Sequence, residues 1–138
     1  MKRRRDWRAR LHEEIERHRR VPFSWGDGSD CAMFAADCVK AMTGDDPAAR
    51  FRGRYATAFG ALRAVREAGF ADLADAISDT FEEIHPSRAR VGDVACFPSD
   101  GHFGMTVGIV IGERVAVSFE NGIGSACRTE AVRAFKVP

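Results

Sequence analysis

Four cysteines and four histidines are the residues of this chain best suited to nucleophilic or metal chemistry, and one cysteine stands apart. A glycine-rich turn, Trp25-Gly26-Asp27-Gly28-Ser29-Asp30, delivers Cys31 to the first position of an apolar segment, Ala32-Met33-Phe34-Ala35-Ala36. A helix N-terminus carries partial positive charge and free backbone N–H groups, which lower the pKa of a thiol placed there. The same N–H groups can hydrogen-bond a developing oxyanion. Cys31 is therefore set up for acyl transfer if a base lies nearby; otherwise it is a small buried hydrophobe at a helix start. His102, in Gly101-His102-Phe103-Gly104, is the histidine best placed by sequence to serve. His12 and His18 fall in the first helical segment, and His85 lies in a break beside Pro86. Histidines and cysteines show no metal-ligand spacing, so no metal and no cofactor is expected. Cys31 and Cys38 lie two turns apart on one helix face, too far for a disulfide. Free thiols are expected, with Cys38, Cys96 and Cys127 buried and Cys31 the first to react.

The elements that must hold these residues read as helices first and strands afterwards. Asp6 is placed to cap a helix to about Arg20, with Trp7, Leu11, Ile15 and His18 as its apolar stripe. Val21-Pro22 ends it. A second helix starts at Cys31, buries Phe34, Ala35, Cys38, Val39 and Met42, and stops at Gly44. A third runs from Thr57 to Ala68 with Gly69 as its C-terminal stop, and a shorter one is expected within Phe70 to Phe81. The pattern then changes: Gly92 to Phe97 is a strand closed by Pro98. Met105 to Ile111 and Arg114 to Phe119 form a hairpin, and Asn121-Gly122 makes a further tight turn. Glu130 to Phe135 reads as a short final helix or an extended tail. This order predicts one α+β domain over 1–138: a basic helix in 1–20, a helical part in 21–81, a β-meander in 90–120 and a tail in 121–138.

Charge and hydropathy narrow the function classes. The 138 residues carry 21 basic and 20 acidic side chains, a formal net charge of +1, so no global field attracts nucleic acid. Nine of the basic residues crowd into positions 1–20, a solvated helix face or docking surface that Glu13, Glu14 and Glu16 partly neutralise. No apolar run reaches the ~18 residues of a membrane span. The basic start is followed by Asp6-Trp7-Arg8, so no secretory signal is expected, and synthesis in the cytoplasm is.

Several short motifs together resemble the NlpC/P60 group of papain-like cysteine hydrolases, which cleave peptide or amide bonds of bacterial cell wall. Pro22-Phe23-Ser24-Trp25-Gly26 resembles the family's proline-aromatic-x-Trp-Gly approach to the nucleophile, and Asp30-Cys31 its Asp-Cys dipeptide. Gly92-Asp93-Val94 resembles its Gly-Asp strand, and Val107-Gly108-Ile109-Val110-Ile111-Gly112 its Val-Gly-Ile-Tyr-Ile-Gly strand and turn. The likeness spans roughly 20–120. More narrowly, the basic start with Asp6-Trp7 and the run Arg52-Gly53-Arg54-Tyr55 resemble compact members encoded in tail modules of phages and phage-like particles. The resemblance implies a papain-like α+β fold, Cys31 as nucleophile, and Trp25, Gly26 and Asp30 as the turn that shapes the oxyanion site. It also implies a virion location, tail-tip proteins as partners and peptidoglycan peptides as the substrate class.

The departures from the family pattern fall on the chemistry. The family's general-base histidine directly precedes Val-Gly-Ile, where this chain has Thr106. A threonine hydroxyl takes no proton from a thiol near neutral pH. The residue that orients the imidazole belongs near Val117, beside Ser118. Phe23 stands where the family often has tyrosine, and Ala32-Met33 replaces its Ser-Gly. His102 lies four residues before Thr106, ~13 Å along a strand, and reaches Cys31 only through a bulge or looped turn. Two readings follow: a degenerate NlpC/P60-like domain kept as a structural or docking part of a tail tip, which is the expectation, or an active peptidase or amidase using Cys31 and His102 during DNA entry.

Overall fold

The computed structural model describes residues 1–26, 28–99 and 105–138. Its helices are α1 (Trp7–His18), α2 (Cys31–Thr43), α3 (Ala58–Glu67) and α4 (Leu73–Ser78). Its strands are β1 (Glu82–Ile84), β2 (Val94–Pro98), β3 (Met105–Val110), β4 (Arg114–Phe119), β5 (Gly122–Cys127) and β6 (Arg133–Lys136). Short 3-10 turns at Pro86–Arg88 and Arg128–Glu130 join the last elements.

Side-chain caps fix three of the four helix starts. Asp30 accepts from the Met33 N–H, Thr57 from Gly60 and Asp72 from Asp75. Gly44, at φ 88°, closes α2 in the left-handed conformation. Asp6 precedes α1 as expected but makes no cap; its carboxylate is taken by Arg10, 2.8 Å away.

The strands form one antiparallel sheet in the order β1-β6-β2-β3-β4-β5. The sequence places β2, β3 and β4 where they are found. Three strands depart from expectation. Phe70 to Phe81 yields only the six residues of α4, and Glu82–Ile84 continues as an edge strand. The chain after Asn121-Gly122 returns as β5 beside β4. The segment expected as a final helix or tail is β6, inserted between β1 and β2 with Ala134 and Phe135 fully buried. A four-residue strand has too little alternation to be recognised locally; its pairing across the chain decides it.

Helix α2 lies on β3 and β4, and α1 packs on the outer side of α2. Phe34, Cys38, Val39 and Met42 join Val107, Ile109 and Val117 in a single core. Each fully buried large apolar side chain contributes ~1.5–3 kcal/mol. Gly108 brings β3 close to β4, because a Cβ there would stand 2.3 Å from the Ala116 carbonyl oxygen. The chain ends are tied through Arg3, whose guanidinium bonds Asp93 at 2.9 Å and the carbonyls of Val91 and Val137 at 2.9 and 3.1 Å.

Candidate functional site

Asp30 organises the turn that presents Cys31. Its carboxylate is fully buried, and besides the Met33 N–H it accepts from the Gly26 N–H and the Tyr55 hydroxyl, each at 2.9 Å. Gly26 is required there: its φ is 98°, and a Cβ would stand 1.8 Å from the Tyr55 carbonyl oxygen. Trp25 packs against the core, with Phe23 edge-on at 5.0 Å. Tyr55 is a residue whose role sequence reading missed. Its hydroxyl braces Asp30 from across the fold, and burial beside that carboxylate holds its pKa well above the ordinary tyrosine value.

Cys31 is the first residue of α2, as expected, and lines a surface cavity of about 230 Å3 with Phe23, Trp25, Thr106, Ser118 and Phe119. Thr106, expected from the sequence resemblance to stand where a base would, lines the same cavity as the thiol. His102 lies outside the described residues. The expected lowering of the thiol's pKa is corrected. Burial pushes Cys31 up to about 12; the N–H groups of Val107 and Ala32 pull it down, but Asp30 beside it opposes them. With 8% exposure, the cost of burying a thiolate exceeds what a helix terminus offers. None of the described histidines is among the groups acting on this thiol.

The expected ranking of the other thiols is corrected at one position. Cys38 and Cys96 are buried, and burial pushes both up, Cys96 to about 12. Cys127 is only half-buried and lies 3.0 Å from the Thr129 hydroxyl, which lowers its pKa.

On the opposite side of the turn the fold assembles a group that sequence reading placed only as a helix stripe. His18, 2% exposed, lies with Nδ1 2.6 Å from Ser29 Oγ and Nε2 2.9 Å from Asp37 Oδ2. Ser29 in turn meets Ser118, whose hydroxyl donates to the Ser29 carbonyl. Burial disfavours the imidazolium, but hydrogen bonds from His18 to Asp37 and Glu14 outweigh that and hold its pKa above the ordinary histidine value. The available signal was a histidine on an otherwise apolar helix face, with Ser29 and Asp37 flanking Cys31. Among the described residues, Glu14, His18 and Asp37 bring possible ligand atoms within 4.8 Å of one another. The Arg17 guanidinium bridges both carboxylates, and Arg52 holds Asp37 at 2.8 Å, so local cations already balance the cluster.

The fold has a solved counterpart. The crystal structure of the NlpC/p60 domain of the peptidoglycan hydrolase SagA superposes with a TM-score of 0.58 at 17% identity, covering 93% of this chain and 97% of that one. At that identity the likeness concerns the fold, which is the expected α+β, papain-like NlpC/P60 arrangement of helices on an antiparallel sheet. No curated protein matches the sequence. Residues 2–137 match a family described as Domain of unknown function (DUF6950), and the chain belongs to that family.

Proposed function

We propose that this chain is a cell-wall-directed NlpC/P60-type domain of a phage or phage-like tail tip, retained for docking and silent as a hydrolase at rest. The observation that carries the silent reading is the state of Cys31: a thiol pushed up to about 12, with Thr106 in the cavity at the family's base position. A free thiol is only a few per cent thiolate near pH 7, and this one is less ionised still. The fold shared with a peptidoglycan hydrolase domain supports the cell-wall assignment. The tail-module resemblance of the basic start and of 52–55 supports the virion assignment, with tail-tip proteins as partners. Purified protein incubated with peptidoglycan sacculi is expected to release little or no peptide. Thr106→His is expected to give partial gain, since Val117 leaves the new ring unoriented. Release by the unmodified protein that is lost in Cys31→Ser or His102→Ala overturns the silent reading. Finding the chain in purified particles by mass spectrometry tests the tail assignment.

A second reading is an active cell-wall peptidase or amidase with Cys31 as nucleophile. It is favoured by the open cavity at the thiol, by backbone N–H groups directed at Sγ, and by the buried polar chain that ends at Ser118 in the same cavity.

A further inference from the structure

The family's base position holds Thr106, yet a histidine is connected to the cavity from behind the Cys31 turn. Its ring nitrogens have distinct roles. Nε2 faces two carboxylates, Asp37 Oδ2 at 2.9 Å and Glu14 Oε1 at 3.4 Å. Carboxylates only accept, so the proton of the neutral ring belongs on Nε2, and Nδ1 is left to accept from the Ser29 hydroxyl at 2.6 Å. Arg17 Nη2 lies 3.1 Å from Nε2 but spends its hydrogens on the same two carboxylates. Ser29 Oγ is 3.3 Å from Ser118 Oγ, and Ser118 lines the cavity with Cys31.

His18, Ser29 and Ser118 are all buried, at 2%, 1% and 4% exposure. Each buried polar group carries a desolvation cost that its partners must offset. Ser118 also donates to the Ser29 carbonyl. The additional line of hydroxyls from Ser118 through Ser29 to His18 connects the cavity to a base.

We propose that Asp37, His18, Ser29 and Ser118 form a proton relay into the Cys31 cavity, with His18 as the acceptor that the Thr106 position lacks. The relay deepens the second reading, the active hydrolase, rests on Cys31 as its nucleophile, and stands against the silent reading. Ser118 lines the cavity with Cys31; Ser29, His18 and Asp37 act through its hydroxyl and are positioning residues. In the step, the Cys31 thiol proton passes through solvent water in the shared cavity to Ser118 Oγ. The Ser118 proton passes to Ser29 Oγ, and the Ser29 proton to His18 Nδ1, leaving a thiolate and an imidazolium beside Asp37. The Ser118 hydroxyl needs only a rotation about one bond to turn from the Ser29 carbonyl to Ser29 Oγ. The groups around the imidazole are Glu14 and Arg17 from α1, Asp37 and the Phe34 ring from α2, Ser29 from the turn, and Arg52 through Asp37.

The test is the pH profile of Cys31 alkylation by iodoacetamide, read by peptide mass spectrometry in a Cys127→Ser background. The thiolate displaces iodide, forming the S–C bond as the C–I bond breaks, so the rate reports thiolate supply. The parent protein is expected to show a shoulder near neutral pH, below the thiol's own titration. Ser29→Ala, Ser118→Ala and His18→Asn are expected to slow labelling about tenfold near pH 7 and to leave it unchanged near pH 10, where hydroxide removes the proton. Ser118→Thr, which keeps the hydroxyl, is expected to retain the shoulder. A parent profile with a single titration in the thiol's own high range overturns the relay, without needing any variant to fold. Equal slowing at both pH values also overturns it, since that is the mark of a lost strut. A neutral shoulder without peptide release from sacculi supports the relay while rejecting the hydrolase reading, so the two fail separately.

Discussion

Cys31 and Cys127 occupy opposite settings, and thiol reactivity follows from the contrast. Cys31 is 8% exposed with its pKa pushed up to about 12. Cys127 lies at the end of an edge strand with its pKa lowered by Thr129. Near neutral pH, iodoacetamide is expected to label Cys127 first, Cys31 slowly, and Cys38 and Cys96 only on unfolding. Peptide mapping of a time course checks the order; Cys31 ahead of Cys127 contradicts it. The helix-terminus position of Cys31 was legible because Asp30, Cys31 and the apolar run sit together in the sequence. Its ionisation was not, because burial comes from β3 and β4, more than seventy residues away along the chain. His18 shows the same limit. Its face of α1 was readable, but its partners Ser29, Asp37 and Ser118 are set by packing.

Among the elements, the Asp30 turn concentrates the most interactions in one side chain. Asp30→Ala removes the cap of α2 and takes the carboxylate acceptor from the Gly26 N–H and the half-buried Tyr55 hydroxyl at once. A lost cap costs about 1 kcal/mol, and the loss of a fully buried acceptor shared by two further donors raises the expected loss to about 3 kcal/mol. Tyr55→Phe removes only one donor, and its expected loss is about 1 kcal/mol. Urea midpoints of the two variants check the ranking; equal losses would mean that Tyr55, not the cap, dominates. The helices and the central strands were legible because each has local marks: capping residues, Gly44 and Gly69 as stops, and the turns around β3 and β4. Strands β1 and β6 have three and four residues and pair with partners far away along the chain, so no local pattern specifies them. The edge strand β5 holds two glycines and a serine among six residues, a composition that reads as loop until β4 pairs with it.

At the scale of the molecule, the seam between α1 and α2 couples stability to pH from both sides. Burial alone would raise the Glu14 pKa, but hydrogen bonds from His18 and Arg17 outweigh it and hold the carboxylate down at about 2. A depressed carboxylate stabilises the fold above its unfolded pKa of ~4.5 and loses that contribution as pH falls toward 2. The contribution is on the order of 2 kcal/mol after discount for partial solvent screening. His18 acts with the opposite sign. Its raised pKa stabilises the fold fully below the unfolded value of ~6.5, and the contribution is lost as pH rises through the folded value. Stability is therefore expected to peak between about pH 4.5 and 6.5, fall on both sides, and fall further above about pH 8 as the buried thiols titrate on unfolding. Glu14→Gln should flatten the acid limb and His18→Asn the limb above about pH 6.5; because each group helps hold the other's pKa away from its ordinary value, each change should also weaken the other limb. Urea unfolding across this range reads both limbs directly. A His18→Asn protein that keeps the wild-type slope above about pH 6.5 would show that the imidazole is not the titrating group of the seam.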